Sequence, residues 1–114
     1  MPSARRVGVE VEDRVARFLQ DKGYTILTRR YKAAKGEIDL VALDGETIVF
    51  VEVKFCGTKK YLPEEGINKR KLQRMMAAGA QYLASYEGPD RDVRYDVVAI
   101  DPNGIRHLEE AFWL

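Results

Sequence analysis

Cysteine is almost missing from this chain, with Cys56 the single example among 114 residues. One thiol excludes an internal disulfide and a cysteine-built metal centre. Histidine is equally scarce, and the lone His107 reads as structural rather than as a ligand. No apolar run approaches the roughly 20 residues that a membrane-spanning helix needs. The opening Met1-Pro2-Ser3-Ala4-Arg5-Arg6 has no apolar core of the signal-peptide kind. A cytoplasmic protein that does not enter a membrane is the expectation. Charge of one sign is lacking as well: 19 Lys and Arg face 18 Asp and Glu, a net charge of +1. The molecule as a whole does not attract nucleic acid, so phosphate binding must come from local clusters. There is no repeat, low-complexity tract or linker. With 46% hydrophobic and 32% charged residues the composition is ordinary for a globular protein, and residues 1–114 are expected to form one domain.

The informative stretch runs from Gly36 to Lys54, GEIDLVALDGETIVFVEVK. Two apolar runs flank Asp44-Gly45, a strong hairpin signal. The second run, Ile48 to Phe55, is apolar except at Glu52 and Lys54, the pattern of a central strand covered on both faces. Side chains alternate with period two, so Ile48, Phe50, Glu52 and Lys54 share one face. A carboxylate and an ammonium thus end a strand that is otherwise greasy. Burying charge is costly unless it is paired or binds a metal. Asp39 lies on the neighbouring antiparallel strand. With a turn of two or four residues it falls opposite or diagonal to Glu52 on the same face. Directly opposite residues have Cβ atoms about 5 Å apart. Two such carboxylates repel unless a cation lies between them, and a hard divalent ion such as Mg²⁺ fits that demand. Glu37 shares the face of Asp39, where it either supports the ligands without touching the ion or is an alternative ligand.

Gly8 to Lys22 reads as a helix with the apolar stripe Val11, Val15, Phe18 and Leu19, joined by the stem of Lys22 and stopped by Gly23. Among its acids, Glu10 and Asp13 point away from the stripe, whereas Glu12 lies at its edge. Glu12 can lean toward a sheet below or simply serve the helix dipole. Tyr24 to Tyr31 reads as a strand whose end is basic, with Arg29, Arg30, Lys32 and Lys35 around Tyr31. Cations beside an aromatic can hold phosphate and stack a base, or can protect a sheet edge. Cys56 to Asn68 reads as a loop leading away from Lys54, with Cys56 itself a small buried apolar residue. Residues 68–86 read as a second helix, with core positions Leu72, Met75, Met76, Gly79, Ala80, Leu83 and Tyr86. Lys69, Arg70, Lys71 and Arg74 crowd its first turns against the helix dipole, which suits a bound anion there. Two more strands, or a strand and a tail, follow at Val93 to Ile100 and Ile105 to Phe112, joined by the Asp101-Pro102-Asn103-Gly104 turn. Asp96 reads as structural, paired with Arg94 or another nearby cation. The apolar end Phe112-Trp113-Leu114 is expected on the core or in a dimer interface.

An acid on one strand followed by Glu-x-Lys on the next resembles the PD-(D/E)xK nuclease superfamily, with Asp39, Glu52 and Lys54 at its motif positions. The ordered set extends through Gly36-Glu37-Ile38-Asp39-Leu40, Val49 to Lys54, Lys69 and Lys71, Tyr95-Asp96-Val97-Val98, His107 and Ala111-Phe112. Together these resemble the YraN-like family of small bacterial proteins, which is similar to archaeal Holliday-junction resolvases. The resemblance implies an α/β fold, a mixed central sheet flanked by helices with a restriction-endonuclease-like α-β-β-β-α-β core. It implies an endonuclease that hydrolyses DNA phosphodiester bonds, with branched or damaged DNA among its substrates. The implied cofactor is Mg²⁺ or Mn²⁺, held by Asp39, Glu52, the Val53 carbonyl and Glu12. Lys54 joins these acids as a catalytic group and Lys69 and Lys71 bind the nucleic acid, with Arg30 and Lys35, read from the basic end of the first strand, as further candidates for that contact. No nucleotide cofactor is implied, and a homodimer suits an enzyme that cuts two strands. The chain departs from the family at Phe55-Cys56, where other members carry a small polar residue and a cation. Two alternatives remain open on the residues: a nucleic-acid-binding module of this fold that cuts little, and a scaffold in which Glu52 and Lys54 form only a buried ion pair.

Overall fold

The computed structural model describes residues 4–55 and 69–110, with side chains from residue 9 onward. The expected loop Cys56 to Asn68 and the terminal Phe112-Trp113-Leu114 lie outside the described residues. The elements are α1 (Ala4–Asp21), β1 (Thr25–Ala33), β2 (Gly36–Asp44), β3 (Thr47–Phe55), α2 (Lys69–Ser85), β4 (Val93–Asp101) and β5 (Gly104–Leu108). This is the α-β-β-β-α-β order expected from the sequence, with a fifth strand appended. No helix among the described residues is long and apolar enough to cross a membrane.

Local chemistry sets the boundaries. Gly23, at φ +96°, takes the left-handed position after α1 that a side chain disfavours. Its N–H donates to the Gln20 carbonyl, and the Tyr24 N–H reaches back to the Leu19 carbonyl at 3.0 Å. That double closure is a Schellman cap. Gly45, at φ +60°, occupies the first position of the two-residue turn between Asp44 and Thr47, where a II′ hairpin requires glycine.

The strands form one sheet in the order β1-β2-β3-β4-β5. β1, β2 and β3 are successively antiparallel. β3 and β4 are parallel, as a connection containing a helix permits, and β5 returns antiparallel. β3 is central, as its two-sided apolar pattern predicts. Its odd residues Val49 and Val51 meet α1 through Val11, Val15 and Leu19. Its even residues Ile48 and Phe50 meet α2 through Met75 and Ala78. The buried stripe of α2 is Leu72, Met75, Ala78 and Gly79. Met76, expected in the core, is instead 49% exposed, and Ala80 is exposed too. The contact stripe turns toward Ala78 because Gly79 presses the helix onto the sheet. A Cβ at Gly79 would stand 2.9 Å from the Tyr95 hydroxyl and 3.0 Å from the Phe50 ring.

Candidate active site

The β2–β3 ladder runs from Asp44↔Thr47 to Leu40↔Val51 and stops there. β2 stays paired with β1 as far as Gly36, and β3 stays paired with β4 as far as Phe55. The two strands therefore part company, and Asp39 and Glu52 stand at the root of the fork. The register of the hairpin would set these two residues opposite each other. Instead the Asp39 side chain takes the place of the next ladder bond, its Oδ2 accepting the Val53 N–H at 2.8 Å. Alternation in β2 breaks at this point. Ile38 packs on the α2 side, whereas Leu40, two residues on, packs on the α1 side. Arg30, on the neighbouring strand, adopts a left-handed φ of 53°.

A cleft of about 590 Å³ opens over the fork, lined by Glu37, Asp39, Glu52, Arg70, Lys71, Arg74 and Met75. The acids come from the sheet and the cations from the first two turns of α2. Gly36 lets α2 come this close, because a Cβ there would lie 2.5 Å from the Arg74 carbonyl oxygen. Burial pushes the Asp39 carboxyl up to about 7, and the neighbouring Glu52 carboxylate adds to the push. The Val53 N–H opposes that rise, while Glu12 and Glu37 add smaller contributions to it. An acid held this far above its ordinary range lacks sufficient positive charge nearby.

The expected residues divide into three sets. Asp39, Glu52 and Glu37 share the cleft. Lys54 follows Glu52 on the same strand and is half-buried, but no ion pair joins the two. The Glu52 carboxylate is paired with Lys71, Oε1 to Nζ at 2.5 Å. Glu12 is close enough to influence Asp39, yet its two oxygens take the Arg30 Nε–H at 2.8 and 3.1 Å. Glu12 is thus not gathered with the cleft acids, and the exposed Arg30 is paired with it. Among the described residues no group of three or more His, Cys, Asp or Glu stands close enough to hold a metal together. The donors that do converge are two hard carboxylates, one of them short of positive charge. That set suits Mg²⁺, which takes one or two carboxylates and fills its remaining positions with water and phosphate oxygens. Lys69, in the first turn of α2, and Lys35, in the turn between β1 and β2, are exposed.

In the sequence, Arg70 and Arg74 are only part of a basic cluster. Their place in the cleft follows from helical spacing, since residues 70, 71, 74 and 75 fall on one side of α2. The role of Gly36 left no signal, because a close approach between distant segments has no local pattern.

Comparison with known proteins identifies the family. Residues 11–100 match the family described as "Uncharacterised protein family UPF0102". A UPF0102 protein of Persephonella marina is 38% identical over 106 residues, covering 92% of this chain and 91% of its own. One of Thermotoga petrophila is 42% identical over 107 residues, covering 92% and 94%. One of Chlorobium limicola is 36% identical over 118 residues, covering 94% and 92%. With the match spanning both helices, the fork and β4, this chain belongs to the UPF0102 family.

Proposed function

We propose that this protein is a metal-dependent endonuclease acting on DNA, with branched or damaged DNA among its substrates. The observation that carries the reading is Asp39. A carboxyl pushed up to about 7 by burial and by Glu52 is an unfavourable arrangement unless a cation resolves it. Asp39 and Glu52, with the Val53 carbonyl, would hold Mg²⁺ or Mn²⁺. That ion supplies an activated water and charge for the phosphoryl oxygens when bound. Lys54 orients the attacking water, helps deprotonate it and offsets charge on the phosphorane-like transition state. Arg70 and Arg74, beside the acids in the cleft, meet the incoming phosphates, and the exposed Lys69 extends that basic face. Glu12 acts through Arg30, holding the kinked end of β1 beside Asp39.

The test is cleavage of plasmid and branched DNA with Mg²⁺ or Mn²⁺. Asp39→Ala and Lys54→Ala should each reduce the rate by at least about a hundredfold. Activity that survives both changes rules these roles out. A second reading, a DNA-binding module that cuts little, is favoured by one observation: Arg30 and Lys71 already occupy two of the acids. It predicts salt-sensitive binding with no cleavage under any metal. The scaffold alternative required a Glu52–Lys54 pair, and Glu52 pairs with Lys71 instead.

A further inference from the structure

We propose that Lys71 is a built-in counterion for the cleft: its ammonium holds the cation position at Glu52, leaves when a divalent ion binds, and then takes a substrate phosphate. The inference rests on the endonuclease reading and adds a coupling between metal loading and DNA grip. Three observations carry it. Lys71 Nζ lies 2.5 Å from Glu52 Oε1, so the ammonium sits where a cation bound to that oxygen would sit. The pair is unequal in exposure: the Glu52 side chain is 10% exposed and the Lys71 side chain 35%. The lysine therefore keeps a path to water that the acid lacks. Lys54, nearest in sequence, does not neutralise Glu52. The neutralising charge comes from α2, an element separate from the strand that carries the acid, and can leave without disturbing it. Arg70 and Arg74 flank Lys71 in the same cleft, so a released ammonium joins a face already built for anions.

A rival explanation is a simple strap, in which the ion pair only pins the start of α2 to the sheet. Calorimetric titration of Mn²⁺ into the full chain without DNA separates the two. Removing the ammonium with Lys71→Gln should tighten Mn²⁺ binding on the order of tenfold, the scale of a lost charge-assisted bond. Lys71→Arg, which keeps a cation at Glu52, should not tighten it. DNA binding in Ca²⁺ gives a readout independent of cleavage. For the unmodified chain, Ca²⁺ should steepen the salt dependence by about one phosphate contact, and Lys71→Gln should abolish that increment. If Lys71→Gln binds Mn²⁺ no more tightly than the unmodified chain, the counterion role is overturned and only the strap remains. Glu52→Gln separates this failure from a failure of the endonuclease reading. Loss of Mn²⁺ binding there, with binding intact in the unmodified chain, supports the metal site whatever Lys71 does. If no form binds Mn²⁺, the metal site and the counterion fall together.

Discussion

Two aspartates on this sheet, one half-buried and one fully buried, have opposite fates. Asp39, at the fork between β2 and β3, takes one backbone N–H and faces another acid. Asp96, on β4, is fully buried and is satisfied on every side. Arg94 donates to both its oxygens at 2.9 Å, His107 Nε2 lies 2.7 Å from Oδ2, and the Glu110 N–H reaches Oδ1 at 3.1 Å. Lys22 Nζ lies 2.7 Å from His107 Nδ1. A lysine can only donate, so Nδ1 accepts and Nε2 carries the proton given to Asp96. Burial alone would raise the Asp96 carboxyl, but the bonds from His107, Arg94 and Glu110 outweigh it and hold the group below its usual range. Arg94 is raised in turn, first by its bond to Asp96, and also meets Asp44 and the Tyr24 hydroxyl. Desolvation thus yields a structural knot at Asp96, where partners converge, and a carboxyl short of positive charge at Asp39, where they are withheld.

The sharpest way to break this contrast is to neutralise each acid in turn. Asp96→Asn removes the buried charge at the centre of this network, leaving Arg94 only the more exposed acids Asp44 and Glu109, and should cost about 3–5 kcal/mol, read by chemical denaturation at pH 7. The Asp96 contribution is present above the unfolded carboxylate value of 3.8. It is lost as pH falls through the lower folded value. Asp39→Asn should act in the other direction. A carboxyl raised from 3.8 to about 7 weakens the fold increasingly between those values and fully above the upper one. The amide keeps an acceptor for the Val53 N–H and should stabilise the chain by as much as about 4 kcal/mol at pH 8. That gain should shrink toward pH 4 and vanish below it. Destabilisation at pH 8 would show that Asp39 is as well satisfied as Asp96.

Smaller changes sharpen the comparison. Gly36→Ala drives a methyl group into the Arg74 carbonyl and should cost about 1–3 kcal/mol by displacing α2. The cleft should open with it, so that cleavage falls further than stability explains. Lys22→Ala removes the outer, exposed end of the Asp96 knot and should cost less than about 1 kcal/mol. Nitrogen NMR of His107 should still find the proton on Nε2.

Much of this was legible in the chain. Period-two patterning marked β3 as central, Asp44-Gly45 marked the hairpin, and Gly23 marked the end of α1, because each signal acts over a few residues. The Arg94–Asp96 pairing was also readable, since residues two apart on a strand share a face. The partners of Glu52, Glu12 and His107 were not. Lys71 lies 19 residues from Glu52 and reaches it only through the docking of α2. Arg30 meets Glu12 because a left-handed residue redirects the end of β1. The exposure of Met76 depends on the roll of α2, which the contact at Gly79 sets.

The residues alone determined the elements, the central strand and the placing of two acids and a lysine beside one hairpin. Those follow from side-chain alternation and turn chemistry, which are local. Tertiary structure decided where the ladder ends, which cation faces which acid, and therefore which aspartate is kept satisfied and which is left wanting charge. Charge balance in a buried site depends on every group packed around it, and those groups meet only when helices and sheet come together.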